Sequence, residues 1–254
     1  MASLIDELKG IPFELFTAAQ SAAPYVLFFL ACFVACSFTA PKRLDQPTAH
    51  YWASSIVSTI HGAIIVPLAY EAMVPFWWSN DLRLTTEASK RCLDIFIGFT
   101  LADCGPLLWN RKAWPGVNVY FWHHGSALLY WGLSRARGQT HAVAVGLLLC
   151  EATAPFTNGR WFLSELNMKD GMLYIVNGAM MMISFLFLRI ILFGWLLFRN
   201  MVILNGELLS LPYTTIAVTL FGFVVGYPMQ WLWFSKIVQG LLKLLRPPKG
   251  KKKA

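Results

Sequence analysis

Seven long apolar segments dominate this sequence and limit what the chain can fold into. They lie at about residues 22–38, 54–78, 92–109, 117–133, 141–157, 172–198 and 213–236. An apolar run of about 18 residues or more with few charges is typical of a transmembrane helix, because a hydrocarbon core of about 30 Å is crossed by about 20 helical residues. The sequence therefore predicts an all-α polytopic membrane protein with about seven transmembrane helices.

The composition agrees with a membrane location. Of the 254 residues, 57% are hydrophobic and only 13% are charged, whereas soluble domains have about 25% charged residues. A soluble fold of this size lacks the charge to cover so much apolar surface. Many of the 11 tryptophans lie near the ends of the apolar runs, as at Trp77, Trp78 and Trp109, which is typical of residues at the membrane–water interface.

The net charge of +8 is concentrated in a basic C-terminal tail. A basic tail can bind nucleic acid, but beside a membrane span it is more typical of a cytosolic segment near anionic lipid, so we expect no nucleic-acid partner. Lys251 and Lys252 lie four and three places from the end, as in the di-lysine signal that coat proteins read to retrieve membrane proteins to the endoplasmic reticulum. Such signals are addresses read by receptors. We therefore expect a multi-pass protein of the endoplasmic reticulum with that retrieval machinery as a partner.

Histidines within the apolar runs are the first candidates for chemistry. His123 and His124 are adjacent on the fourth run, so on a helix they point about 100° apart, and one can face a cavity while the other reaches a neighbouring helix. His123 shares a face with Ser126 and Tyr130. The second run carries a polar stripe of Ser54, Ser58 and His61.

Carboxylates within the third run need partners of different kinds. Asp103 lies deep in the run, where an unpaired charge costs about 2.5–3.5 kcal/mol on insertion scales. Asp94 lies nearer the end and is expected to face water. Because they are nine residues apart, the two aspartates face roughly opposite ways on one helix.

The fifth and sixth runs add another carboxylate and two cations. Glu151, Pro155 and Asn158 share a helical face, and Pro155 cannot donate to the carbonyl of Glu151, which predicts a kink with a free acceptor. Arg160 follows. Its simplest explanation is snorkelling, in which the long side chain extends its charged end to the membrane–water interface. Arg189 is deep enough to need a partner, for which Glu151 or Asp103 is available.

A metal site is a minor alternative for these residues. His61, His123, His124 and Asp103 together have the donor types of a zinc site. The sequence has neither an H-x-x-x-H nor an H-E-x-x-H spacing. We therefore predict no metal.

The order of these motifs resembles the TLC domain family. STIHG on one span, a deep Asp before a tryptophan, WHHG on the next span and then PFTNGRWFL are similar to this family, which is named after the translocating-chain-associating protein, the longevity-assurance ceramide synthases and a neuronal lipofuscinosis membrane protein. The resemblance divides the chain into an N-terminal segment with the first transmembrane helix (1–46), a TLC-like domain (47–240) and a basic cytosolic tail (241–254). The PF-x-N-x-RW pattern is most similar to the small TLC-domain-containing branch.

The resemblance implies a bundle of six helices around an internal cavity that contains the paired histidines. In the family's ceramide synthases these histidines support acyl transfer from acyl-CoA to a sphingoid amine. Carried over, His123 and His124 are catalytic, Asp103 orients one imidazole, acyl-CoA is a co-substrate and no bound cofactor is expected. The candidate substrate-binding residues are His61, Ser58, Glu151, Asn158, Arg160 and Tyr130.

One departure keeps several functions open. Ceramide synthases carry a His-Asp on the span after the paired histidines, whereas the matching stretch of this chain, LLLCEATAPFTNGRW (147–161), has Glu151 and no histidine. An acyltransferase-like enzyme acting on a membrane lipid is one hypothesis, and a non-enzymatic lipid-binding or lipid-sensing protein is another. The third is a chaperone or cargo receptor of the endoplasmic reticulum. Both lipid hypotheses predict that His61, His123, Asp103 and Glu151 meet at one internal space.

Overall fold

The computed structural model describes residues 3–114 and 116–245, and the regular elements in this part of the chain are all helical. The described residues form ten α-helices: α1 (Leu4–Ser37), α2 (Gln46–Met73), α3 (Glu87–Trp109), α4 (Val117–Arg137), α5 (His141–Leu148), α6 (Ala154–Glu165), α7 (Met172–Ser184), α8 (Phe193–Phe198), α9 (Asn205–Leu209) and α10 (Tyr213–Leu245). Short 3₁₀ segments cover Val74–Phe76 and Leu149–Thr153, and π-helical segments cover Phe185–Leu192 and Arg199–Ile203. The predicted all-α class is confirmed.

Five helical stretches within the described residues are long and apolar enough to cross a membrane. They are Leu4–Ser37, Gln46–Phe76, Glu87–Trp109, Met172–Ile203 and Tyr213–Lys243. The predicted fourth segment is also one helix, α4, but it carries two histidines and two arginines, which lower its apolar character. The protein is thus a multi-pass membrane protein, and the total of seven spans stays a prediction.

The predicted fifth span is helical but not uniform. It consists of α5, the 3₁₀ segment Leu149–Thr153 and α6. In the 3₁₀ geometry the backbone N–H of Ala154 donates to the Glu151 carbonyl. The expectation that Pro155 leaves this carbonyl free is therefore wrong, because the local change of helix type supplies a donor from a residue before the proline.

The N-terminal residues extend the first span and do not form a separate interfacial helix. Helix α1 runs unbroken for 34 residues, about 51 Å at 1.5 Å per residue, which exceeds the hydrocarbon core. Polar contacts hold its first turns against the bundle: Glu14 pairs with Arg137 of α4 at 2.8 Å, and Glu7 accepts from the hydroxyl of Thr214 on α10 at 2.8 Å. These contacts explain why the helix continues.

Two glycines allow the helices around the site to approach closely. A Cβ on Gly98 of α3 would lie 2.5 Å from the Cβ of Tyr25 on α1, and one on Gly62 of α2 would lie 2.9 Å from the carbonyl oxygen of Glu151. Such distances are too short for a side chain. Gly62 therefore lets α2 press against the 3₁₀ segment, which brings its neighbour His61 next to the Glu151 side chain.

Candidate functional site

A largely apolar cavity of about 340 Å³ lies inside the bundle. Its walls come from α3, α4, α5, the 3₁₀ segment, the first π-helical segment, α8 and α10. Four lining residues are exposed apolar side chains, namely Val119 and Trp122 on α4 and Phe221 and Val225 on α10. The cavity therefore opens between α4 and α10, through a mouth whose chemistry matches the hydrocarbon of a bilayer.

The deep polar end of the cavity centres on an ion pair. Arg189 Nη2 lies 3.6 Å from Oε1 of Glu151, so Glu151 is the partner that Arg189 was expected to need. The guanidinium also donates through Nε to the Thr153 hydroxyl at 2.9 Å and through Nη1 to Oε1 of Gln230 at 3.4 Å. Arg189 lies in the π-helical segment, a helix type that occurs often at functional sites.

The two adjacent histidines have different surroundings. His124 is buried, with Nε2 at 3.0 Å from Oδ2 of Asp103 and Nδ1 at 3.0 Å from the Tyr120 carbonyl. A carbonyl oxygen only accepts, so Nδ1 carries a proton, and Nε2 is occupied by the carboxylate. The other oxygen of Asp103 accepts from the hydroxyl of Ser54 at 2.6 Å. Asp103 thus contacts one imidazole of the pair, that of His124.

His123 is the member of the pair that faces the cavity. It is exposed and lines the wall. Within the described residues neither ring nitrogen has a hydrogen-bond partner, and its nearest aromatic neighbours are the rings of His124 and Trp233, with centroids at 5.8 and 6.3 Å. Neither His124 nor Asp103 belongs to the lining, so only His123 presents a free imidazole to an occupant.

His61 lies behind the ion pair. It is fully buried, its ring stacks on Phe99 with a centroid distance of 4.0 Å, and its Nδ1 lies 3.8 Å from Oε2 of Glu151. Neither ring nitrogen has a hydrogen bond in the described part of the chain. His61 is not among the lining residues, and it touches the cavity's polar end only through Glu151.

Two hydroxyls in the cavity wall also lack partners. The buried side-chain oxygens of Tyr130 and Thr219 have no hydrogen bond among the described residues, and both residues line the cavity. A buried polar group without a partner costs about 1–3 kcal/mol. An occupant with polar atoms at this depth would remove that cost.

Besides His61, three predicted substrate-binding residues do not line the cavity. Asn158 donates to the Ser55 carbonyl and the Thr59 hydroxyl, both at 3.0 Å, so it fastens α6 to α2. Ser58 is half-buried. Arg160 contacts α7, where Nη1 donates to the Tyr174 carbonyl at 2.9 Å. All three lie close in sequence to residues of the site, but none of their side chains reaches the cavity wall.

The sequence predicts that four residues meet at one internal space, and the structure shows this only in part. His123 and Glu151 share the cavity, His61 reaches it through Glu151, and Asp103 reaches it through His124. The expectation that Asp94 faces water is wrong, because its side chain is only 14% exposed and it accepts from Nε of Arg135 at 2.7 Å. Within residues 3–114 and 116–245, no group of three or more His, Cys, Asp or Glu side chains is placed to hold a metal ion.

Sequence reasoning did not identify the contribution of α10. Gln230 and Thr219 lie in the wall and bring polar atoms to it. Both are polar residues inside the last apolar run. A polar residue within such a run is the feature by which the sequence could have indicated them.

The sequence of this bundle matches a known family. The TLC domain profile matches residues 51–239, which cover most of the chain, so the chain belongs to the TLC domain family. The match falls within the predicted 47–240. Membership supports a membrane lipid-related function.

Individual relatives point to the small branch of this family, as the sequence predicted. The chain is 27% identical to TLC domain-containing protein 4 A of Dictyostelium discoideum over 211 residues, which cover 80% of this chain and 79% of that protein. It is 28% identical to TLC domain-containing protein 4-B of Danio rerio over 70% of this chain and 69% of the relative. For TLC domain-containing protein 4 of Homo sapiens the identity is 26%, covering 76% and 75%. No solved structure matches the chain.

Proposed function

We propose that this protein binds a membrane lipid in the cavity and transfers an acyl group there from acyl-CoA to a lipid amine or hydroxyl, with His123 as the general base. The observation that carries the proposal is the free imidazole of His123 in the wall of an apolar cavity that opens between α4 and α10. The apolar walls and exposed apolar mouth suit an acyl chain. The polar end at Glu151 and Arg189 suits a head group.

The proposed reaction assigns a role to each polar group. His123 takes the proton of the attacking amine or hydroxyl while the new bond to the acyl carbon forms. The carbon–sulfur bond of the thioester then breaks, and the leaving thiolate receives the proton from His123 to give free CoA. Arg189, at the same end of the cavity, is available to stabilise the negative charge that develops on the acyl oxygen.

His124 and Asp103 have a supporting role in this proposal. Both ring nitrogens of His124 are occupied by the Tyr120 carbonyl and by Asp103, so this imidazole is not free to accept a substrate proton. The contact ties α4 to α3, and Ser54 adds α2 through Asp103. These residues position the helix that presents His123.

Lipid binding without chemistry is the second candidate. One observation favours it: Asp103 is committed to His124, and no carboxylate within the described residues bonds to the His123 ring. A base that no third group orients is a weaker catalyst. In this case His123, Tyr130 and Arg189 are head-group ligands, and the protein senses or adjusts membrane composition.

The location and the remaining partners belong to the same proposal. We expect a protein of the endoplasmic reticulum, with its tail in the cytosol and retrieved by coat proteins through Lys251 and Lys252. These two residues lie outside the described residues. A cytosolic tail predicts that protease added to sealed microsomes removes it, and a protected tail would contradict this orientation.

A purified, full-length protein tests the proposal. It is incubated with isotopically labelled long-chain acyl-CoA and an extract of native lipids, and both bound lipid and labelled products are measured by mass spectrometry. We expect bound lipid in the natural protein and in His123→Ala, and a labelled acyl product only in the natural protein. Loss of general-base catalysis lowers rates by about 10²–10⁴-fold.

The controls separate the candidates. His50→Ala removes an imidazole that bonds to Asn110 at 3.2 Å and does not line the cavity, and it should leave product formation unchanged. Bound lipid without product in every protein would favour binding alone. A natural protein that holds no lipid would contradict both candidates and leave a chaperone or cargo receptor.

A further inference from the structure

A second, smaller groove lies between α6, α7 and α10, away from the cavity. Its volume is about 220 Å³, and its lining residues are Arg160, Gly178, Met181, Lys236, Ile237, Gly240 and Leu241. None of these residues lines the larger cavity. Two of the seven are cationic and none is acidic, so the groove combines positive charge with an apolar floor.

Neither cation is neutralised by the described part of the protein. Arg160 packs its guanidinium 3.7 Å from the centre of the Tyr174 ring and gives Nη1 to the Tyr174 carbonyl, but Nε and Nη2 donate to no described residue. Lys236 is exposed and has neither a hydrogen bond nor an ion pair there. Three contacts hold Arg160 in place and leave part of its guanidinium available. Besides the Tyr174 ring and carbonyl, Gly178 lies so close that an added Cβ would be 2.6 Å from Nη1.

The groove lies toward one end of its helices. Gly178 lies in the first third of the helical stretch Met172–Ile203, Lys236 and Gly240 lie in the last third of α10, and Arg160 is in the second half of α6. Trp161, next to Arg160, packs against Trp52 with a centroid distance of 6.1 Å. Tryptophans and long cationic side chains gather at the level of lipid head groups.

We propose that this groove binds the phosphate group of a membrane phospholipid, with Arg160 and Lys236 as its ligands and the start of an acyl chain lying on the apolar floor of the groove. An arginine presents paired N–H groups that match phosphate oxygens, and a lysine adds a point charge. A soluble phosphate would use the two cations but would leave the apolar floor of Met181, Ile237 and Leu241 uncovered.

Native mass spectrometry of the full-length protein in detergent tests this site with two probes. Phosphatidic acid carries the phosphate, and diacylglycerol with the same acyl chains lacks it. We expect adducts with phosphatidic acid that exceed those with diacylglycerol. Lys236→Gln should weaken the phosphatidic acid adduct about fivefold, and Arg160→Gln by at least as much, since each basic group near a membrane surface contributes about that factor.

Two further variants guard against misfolding and general charge effects. Gly240 lines the groove, and an added Cβ meets no atom within 4 Å, so Gly240→Leu should block binding without disturbing the fold. Lys112→Gln removes a charge from the turn between α3 and α4 that is not in the groove, and it should leave the adduct unchanged.

Three outcomes would overturn the assignment. Equal binding of diacylglycerol would show that the phosphate is not recognised. Unchanged adducts in Lys236→Gln and Gly240→Leu would place the lipid elsewhere. Displacement of phosphatidic acid by equimolar inorganic phosphate or CoA would assign the groove to a soluble phosphate. None of these outcomes bears on His123, because lipid in the larger cavity is tested by variants that leave this groove intact.

Discussion

Polar groups occur at two levels of this bundle, and they are satisfied to different degrees. At the end where α1 and α10 begin and α4 finishes, Arg137 pairs with Glu14 at 2.8 Å and donates to the hydroxyls of Thr214 and Thr215 at 2.6 and 2.9 Å. At the cavity, His123 and the hydroxyls of Tyr130 and Thr219 have no partner in the described residues. The first level holds helices together, and the second is left open to an occupant.

Two histidines show the same contrast in one residue type. His141 is fully buried, with Nδ1 at 2.8 Å from the Ser89 hydroxyl and Nε2 donating to the Ser134 carbonyl at 3.1 Å. His123 is exposed to the cavity and makes no such bonds. An intramembrane histidine therefore does not mark a functional site by itself, and its partners decide what it does.

The largest expected effect on stability comes from removing Arg137, which links the helices at the end where α1 and α10 begin. Arg137→Met leaves Glu14 unpaired beside α4. Breaking a fully buried ion pair costs about 3–5 kcal/mol, and because the Glu14 side chain is 28% exposed we expect a loss toward the lower end of that range. We expect a large loss of thermal stability in detergent and low abundance in cells. The matched control is Arg83→Met, because Arg83 and Glu207 are both 47% exposed and such pairs contribute about 1 kcal/mol or less. Equal stability of the two variants would contradict a structural role for this end.

The comparison of His141 with His123 predicts an effect on stability of intermediate size. His141→Ala removes two buried hydrogen bonds, to Ser89 and to the Ser134 carbonyl, and opens a void, so we expect a loss of about 2–4 kcal/mol. His123→Ala removes no hydrogen bond, and we expect a change within about 0.5 kcal/mol, as for surface positions. Thermal unfolding of both purified variants measures the difference. Similar losses in the two would mean that His123 is structural after all.

The smallest expected effect on stability comes from a substitution in the cavity wall that should clearly reduce the amount of bound lipid. Gly222 lines the cavity, and an added Cβ would meet no atom within 4 Å. Gly222→Leu should therefore fill part of the cavity with a stability change within about 0.5 kcal/mol, while lipid that co-purifies falls several-fold by mass spectrometry. Gly105→Leu on α3 is the control, because its site is equally open but is not in the cavity wall. Equal lipid in both variants would show that the cavity is not where lipid binds.

Much of this protein follows from its sequence. The apolar runs determined an all-α membrane bundle, since only helices satisfy every backbone group inside a chain segment in lipid. The order of STIHG, WHHG and PFTNGRWFL identified the family. Helical periodicity also indicated that His123 and His124 diverge, and they do: one faces the cavity and the other is buried against Asp103.

Only the tertiary structure decided which groups meet across helices. Periodicity specifies angles within one helix, but the rotation and depth of one helix against another depend on side-chain packing and on close contacts such as that of Gly62 with Glu151. Asn158 and Arg160 follow Glu151 closely in sequence, yet only Glu151 reaches the cavity wall. Gln230, 79 residues after Glu151 along the chain, lies in the same wall because α10 packs beside the π-helical segment that carries Arg189.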